Sequence, residues 1–317
     1  RIWRNESGSV VFDGKGLPGR RMDVERAAAL TREALEKSIA TIVLPVTETQ
    51  PAITVDDDDL RTLGIREVVT VGESVFTGSP KNRRQNIAVG VSKFNGHLIP
   101  QGSVFSFDEV LGPVNATTGY VKELVIQGDQ TIPDYGGGLC QVSSTAYRGP
   151  WEYGLPIVQR KNHSYAVTYY SPQGTDATIY PPNVDMKFLN DTPGALLMQT
   201  FTDELDRAFF IYYGTHDDRR SEVFGPFISN RVLASRDEKT QYSADLAPGE
   251  RKKVGERHDG LDAMWYRTVQ MPGSGATTES YFSHYEARQL FYLVGTPSGA
   301  NTTSGDLSEP PSWLPSR

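Results

Sequence analysis

The stretch Gly136-Gly137-Gly138-Leu139-Cys140-Gln141 holds the residues of this sequence best suited to chemistry. Consecutive glycines let a backbone approach a substrate closely and take up positive φ values that other residues resist. Cys140 is the single cysteine of the chain, and the pattern after it suits a helix. A thiol at a helix start meets free backbone N–H groups and the positive end of the dipole, which favour the reactive thiolate. Gln141 is a natural oxyanion donor, as is a backbone N–H beside Cys140, with Gly137 and Gly138 shaping the turn.

A nucleophilic thiol also needs a proton acceptor. His163, in Asn162-His163-Ser164, is the nearest candidate, and Asp176, in Gly174-Thr175-Asp176-Ala177-Thr178, can orient its imidazole. The bland alternative is a Cys140 that packs as a small buried hydrophobe. A zinc ion on Cys140, His163 and Asp176 is another, but the ligand set is thin and lacks metal-type cysteine spacing. No metal and no cofactor is therefore expected. His97, His216, His258 and His284 have no comparable setting and read as structural or exposed.

The elements that must position these groups follow from spacing and turn residues. Asp23 caps a predicted helix over 24–38, with strands predicted at 10–12 and 40–46. The acidic run 56–59 suits a helix start better than a calcium loop, because it lacks spaced ligands and a glycine turn. A linker is expected over 72–80, then a helix from Asn82 that stops at Gly96. A strand at 121–126 leads through Pro133 to the glycines, and the helix after Cys140 is expected to end or kink at Gly149-Pro150. Further strands are predicted at 156–159, 165–170, 177–180, 186–189, 196–200 and 209–213. His163 is thus expected at the head of one strand and Asp176 at the start of the next. Cysteine helix, histidine strand and aspartate strand follow the order of papain-like and transglutaminase-like thiol enzymes, an analogy of topology alone.

A chain of 317 residues is long for a single core and fits two or three domains. With 30 Gly, 20 Pro and 15 Tyr, it leans towards turns and strands, so an α+β, β-rich protein is expected. A net charge of -7 leaves no basic stripe for phosphates, which argues against a nucleic-acid partner. No apolar run is long enough to span a bilayer. The sequence opens at Arg1 without Met or signal peptide and reads as a fragment whose N-terminal anchor or export signal is missing. Any membrane attachment is then expected only through that anchor.

Taken together, several segments resemble the VanW-like domains of bacterial cell-envelope proteins. They are Arg84-Gln85-Asn86-Ile87, Gly102-Ser103-Val104-Phe105-Ser106-Phe107, Gly119-Tyr120, residues 136–145, 160–164, 174–178 and 185–190, in order across roughly 68–200. Any one alone is weak. Residues 1–66 resemble the end of a peptidoglycan-binding domain. The segment 215–295 reads as a small all-β module with a faint likeness to the G5 type, and 296–317 is expected to be disordered. The central domain is then 67–214, with a Cys-bearing helix packed on an antiparallel sheet. The sequence departs from the family pattern at Pro100-Gln101-Gly102 and at Ala146-Tyr147-Arg148-Gly149-Pro150-Trp151, behind the cysteine.

The resemblance implies an extracytoplasmic, vancomycin resistance-related protein of the cell envelope. Some VanW domains look like L,D-transpeptidases that cross-link peptidoglycan stem peptides through a cysteine thioester. Carried onto this sequence, Cys140 is the nucleophile and His163 the base. Arg84, Arg160 and Lys161 are then candidates for substrate carboxylates, with fold-bracing ion pairs as the rival role, and Tyr120 and Tyr169 for the walls of a groove. The rival functions are a cysteine peptidase or amidase on the same dyad, and a non-catalytic peptidoglycan-binding scaffold.

Overall fold

The computed structural model describes residues 1–40, 42–127, 130–244 and 246–296. The disorder expected of the C-terminal tail falls, from residue 297 onward, outside the described residues.

The N-terminal part builds two antiparallel pairs and two helices. β1 (Ile2–Arg4) pairs with β2 (Val10–Phe12), and β3 (Gly19–Met22) pairs across α1 (Val24–Glu36) with β4 (Val46–Thr49). The Asp23 carboxylate caps α1 by accepting from the Arg26 N–H. The strand predicted over 40–46 begins only at Val46, because Pro45 cannot donate to a ladder. α2 (Asp58–Thr62) starts in the acidic run, capped by the Asp57 carboxylate on the Leu60 N–H.

The central part begins with β5 (Glu67–Val75), α3 (Lys81–Ser92), β6 (Leu98–Ile99), β7 (Val104–Ser106) and α4 (Phe107–Leu111). A hairpin of β8 (Lys122–Gln127) and β9 (Gln130–Tyr135) runs into α5 (Leu139–Tyr153). Then follow β10 (Ile157–Gln159), β11 (Lys187–Leu189), β12 (Leu196–Thr202) and β13 (Arg207–Gly214). The order β5-β13-β12-β6 makes an antiparallel four-stranded sheet, and β10-β11-β7 a smaller one.

Alternation along the larger sheet sends its side chains into two cores. Val69, Leu196, Met198, Phe210 and Tyr212 pack with α3 and α5, around Ile87, Val142 and Trp151. Their neighbours Val68, Leu197, Ile211 and Tyr213 pack with Ile2, Val55, Leu60 and Ile65. One core therefore runs across the boundary expected near residue 66.

An expectation from glycine is overturned here and one from proline is narrowed, both through α5. Gly72 lies inside β5 and opens no linker, since a Cβ on it would sit 2.0 Å from the Thr145 carbonyl oxygen of α5. Pro150 neither ends nor breaks α5, which continues to Tyr153. Proline cannot donate to the carbonyl four residues back, and the Tyr212 hydroxyl takes that Ala146 oxygen at 2.7 Å.

The C-terminal part holds β14 (Arg220–Val232), β15 (Glu238–Ser243), β16 (Arg251–Gly255), β17 (Gly260–Gln270), β18 (Ala276–Tyr285) and β19 (Leu290–Gly295). They form the sheets β14-β17-β18 and β15-β19-β16, with β15 and β19 parallel. This part is docked on α5: Trp265 meets Trp151 edge to face, and the buried Arg267 donates to the Trp151 and Leu155 carbonyls at 2.8 and 2.9 Å. The whole is an α+β protein with mostly antiparallel sheets. Among the described residues, no helix is long and apolar enough to cross a membrane.

Candidate active site

Cys140 is the second residue of α5, directly after three glycines that no larger residue could replace without rearrangement. Gly138 has φ +111 and Gly136 φ +84, both in the left-handed half of the map. A Cβ on Gly137 would lie 2.7 Å from the Leu124 carbonyl oxygen, so the turn is pressed against β8. Asn86 of α3 holds it from the other side. Its amide donates to the Gly137 and Val121 carbonyls, both at 3.0 Å, and its oxygen accepts from the Val121 N–H at 2.9 Å. The sulfur ends half-buried, 3.4 Å from Thr178 Oγ1 and 3.9 Å from the Ile179 carbonyl.

His163 and Asp176 lie on an irregular segment between β10 and β11. The strands predicted at 165–170 and 177–180 do not form, and only a short 3-10 turn, Thr168–Tyr170, interrupts the loop. The backbone here is occupied by side chains instead of a ladder. Ser143 donates to the Ala177 carbonyl and Ser144 accepts from its N–H, while Arg148 donates to the Tyr170, Ser171 and Thr175 carbonyls. The histidine-strand and aspartate-strand order therefore does not describe this chain.

Asp176 is 1% exposed and takes four donors. Oδ2 accepts from the His163 backbone N–H at 2.7 Å and faces His163 Nδ1 at 2.6 Å. Oδ1 accepts from Arg160 Nη2 at 3.1 Å and from the Tyr285 hydroxyl. The imidazole stacks on Tyr170, with centroids 4.3 Å apart and planes 10° apart. Nδ1 is thus committed to Asp176, which turns Nε2 towards other work. Nε2 is sealed from solvent and makes no hydrogen bond of good geometry. The His163 side chain is nevertheless near enough to Cys140 for the two groups to shift each other's protonation.

Burial works against charge on all three groups, and their mutual contacts overcome it. Burial raises the Cys140 thiol, yet the His163 contact lowers it further, and the net shift is down. Burial lowers the His163 imidazolium, but the Asp176 hydrogen bond and Cys140 push it up to about 9. Burial raises Asp176, but His163 and Arg160 hold it well below the usual carboxylate range. The arrangement favours a thiolate facing an imidazolium that a carboxylate steadies. Among the described residues, no three His, Cys, Asp or Glu side chains stand so as to hold a metal ion.

The other residues singled out from sequence fall into different places. Gln141 is wholly buried and turns its Oε1 to Arg83 Nη2 at 3.1 Å, while its Nε2 has no partner. Arg84 pairs with Asp206 at 2.8 Å, the fold-bracing ion pair of the two roles weighed for it. Arg160 is spent on Asp176, the Gly174 carbonyl and Ser283, which matches the fold-bracing role of the two weighed for it. Tyr120 is 1% exposed with its hydroxyl sealed in the core, so it walls no groove. Tyr169 is half-buried beside the site and lies 4.2 Å under the Arg83 guanidinium. Two open surface concavities, one lined around Val11 and Phe201 and the other around Tyr153 and His216, include none of Cys140, His163 and Asp176.

Several positioning residues escaped the sequence. Asn86 was visible only as part of a motif, and Ser143, Ser144 and Arg148 as ordinary helix residues. Tyr285 lies 109 positions from Asp176, and its hydroxyl also accepts from the Gly174 N–H at 2.8 Å. Nothing local in the sequence signals that contact.

Comparison with known proteins adds a family. A family model described as VanW like protein matches residues 82–212, which include Cys140, His163 and Asp176. The chain is 34% identical over 124 residues to the Bacillus subtilis protein YoaR, covering 39% of this chain and 41% of that one. It is 30% identical over 117 residues to the Enterococcus faecalis protein named as vancomycin B-type resistance protein VanW, covering 35% of this chain and 42% of the relative. The chain thus spans about two fifths of the length of each of these relatives.

Proposed function

Because residues 82–212 of this chain are a VanW-like domain, we propose that it is a cell-envelope enzyme that acylates Cys140 with peptidoglycan stem peptides and transfers them to an amine, as an L,D-transpeptidase does. The observation that carries this reading is the convergence of Cys140, at a helix start, with a His163 whose far nitrogen is committed to Asp176. The Enterococcus faecalis relative is named for vancomycin resistance, which supports a place in wall metabolism outside the cytoplasm.

In the proposed reaction the Cys140 thiolate attacks the carbonyl carbon of a stem-peptide amide. The developing oxyanion meets backbone N–H groups at the start of α5. The C–S bond forms as the C–N bond breaks, and the departing amine takes the proton from His163 Nε2. An amine of a second stem then attacks the thioester. Its C–N bond forms, the C–S bond breaks, and the amine's proton returns to His163, restoring the ion pair. His163 is 5% exposed, and a base sheltered from water suits transfer over hydrolysis.

The test is intact-mass spectrometry of the protein incubated with a stem tetrapeptide, followed by an added amine acceptor. An acyl adduct that Cys140→Ala abolishes, and that the amine converts into a cross-linked peptide, is the expected result. An adduct released only as hydrolysed peptide makes the protein a peptidase. No adduct on Cys140 refutes the enzymatic reading and leaves a wall-binding scaffold.

A further inference from the structure

Two other arginines are buried as whole residues, and both meet carboxylates: Arg219 pairs with Asp191 and Asp217, and Arg267 with Glu279. Arg83 is 8% exposed, yet among the described residues no carboxylate forms an ion pair with it. A guanidinium taken out of water without an anion is unfavourable, and it is kept when something supplies the missing charge.

Its position says where that charge would come from. Arg83 sits in the first turn of α3, with its stem against the glycine turn, where a Cβ on Gly138 would lie 3.0 Å from Arg83 Cγ. Nη1 donates to Ser79 Oγ at 2.6 Å and Nη2 to Gln141 Oε1 at 3.1 Å, the residue directly after Cys140. Tyr169 stacks 4.2 Å from the guanidinium, covering a face. The five N–H donors lie in the guanidinium plane, which face stacking does not cover; Ser79 and Gln141 take two of them and the Tyr170 hydroxyl also bonds to this side chain, so a planar anion would meet the donors that remain. Gln141 Nε2, buried and without a partner, adds a second unused donor beside it.

We propose that Arg83 and Gln141 form a receptor for a free carboxylate on the leaving side of the amide that Cys140 attacks. The inference rests on the acylation proposed above and assigns the side chains that hold the α-carboxylate of its departing terminal amino acid. The bond made is C–S and the bond broken is C–N. The free amino acid leaves carrying the proton from His163, with its carboxylate on Arg83.

Two measurements separate this inference from the reaction it rests on. The first is the acylation rate of the wild-type protein with a stem tetrapeptide as free acid and as C-terminal amide. The second is the affinity of Cys140→Ala protein for the same two peptides, which needs no chemistry. A charge-assisted contact predicts that the free acid is favoured by about tenfold or more in both. Arg83→Gln should erase that preference by weakening only the free acid, and Arg83→Lys should keep part of it. Equal handling of the two peptides by the wild type overturns the inference and leaves the reaction standing. Equal weakening of both peptides by Arg83→Gln assigns Arg83 to bracing α3 and α5 and also overturns it. A binding preference for the free acid without any adduct upholds the receptor and refutes the reaction. Should Arg83→Gln fail to fold, the wild-type preference and Arg83→Lys decide.

Discussion

The two halves of the site are held by different kinds of contact. Cys140 stands at the mouth of a helix, on a turn fixed by three glycines, and Asn86 ties that turn to the neighbouring α3. His163 and Asp176 stand on a loop without regular structure, gripped by side chains from α5 and from the distant β17 and β18. The nucleophile's half is built from local backbone geometry, and the base's half from long-range polar contacts. A helix start favours a thiolate, and the His163 contact brings Cys140 down against its burial. An imidazole needs a fixed tautomer and direction, which a loop gives only when its side chains and carbonyls are bound from outside.

The largest effect should come from breaking the base's half at its centre. In Asp176→Asn protein His163 loses the carboxylate that steadies its charged form, and its Nδ1 faces an amide that can present the wrong group. Cys140 acylation, followed by stopped-time mass spectrometry, should fall by about a hundredfold or more. The pH profile sharpens the point. The wild-type ion pair needs Cys140 deprotonated and His163 protonated, so acylation should rise with the thiol's ionisation and fall as pH climbs through about 9. Asp176 is among the groups that raise His163, so its removal should move the alkaline fall to lower pH. A profile whose alkaline limb stays in place would show that Asp176 does not govern the imidazole.

The same contrast explains what the sequence could reveal. Glycines before a cysteine announce a turn and a helix start by local rules, and α5 begins where those rules put it. The strands β12 and β13 were legible from their apolar runs. The segments 165–170 and 177–180 have strand-like composition too, but Arg148, Ser143 and Ser144 claim backbone groups that a ladder would use. That Pro150 would not end α5 was hidden because its remedy, the Tyr212 hydroxyl, comes from 62 residues away on another element. For Arg160 the roles of substrate ligand and fold-bracing ion pair both stayed open, because a charge pattern cannot show that Asp176 already takes it. Spacing thus identified His163 and Asp176 as partners, and misjudged the loop that carries them.

A break in the nucleophile's half should register first as lost stability. Asn86→Ala removes three hydrogen bonds, one buried and two partly buried, and takes the Asn86 partner from the Gly137 and Val121 groups. The expected cost is about 2 to 4 kcal/mol, read from the midpoint of denaturant unfolding. At temperatures where the variant stays folded, the pH at which acylation falls should not move, since Asn86 touches neither His163 nor Asp176. A shifted alkaline limb would mean that the two halves are coupled more tightly than their separate scaffolds suggest.

The smallest change tests whether the C-terminal sheet belongs to the site. Tyr285→Phe deletes one hydroxyl, and with it the contacts to Asp176 Oδ1 and the Gly174 N–H, while the ring keeps its place in β18. Arg160 still holds Asp176, so the carboxylate stays charged and the loss is one of direction. Acylation should drop by about tenfold, the worth of a charge-assisted hydrogen bond, with unfolding shifted by about 1 to 2 kcal/mol. Ser283→Ala is the control: it frees one donor of Arg160 without touching Asp176 and should lower acylation less. If the two variants are equally mild, the C-terminal sheet merely packs against the loop, and the base's half is held from α5 alone.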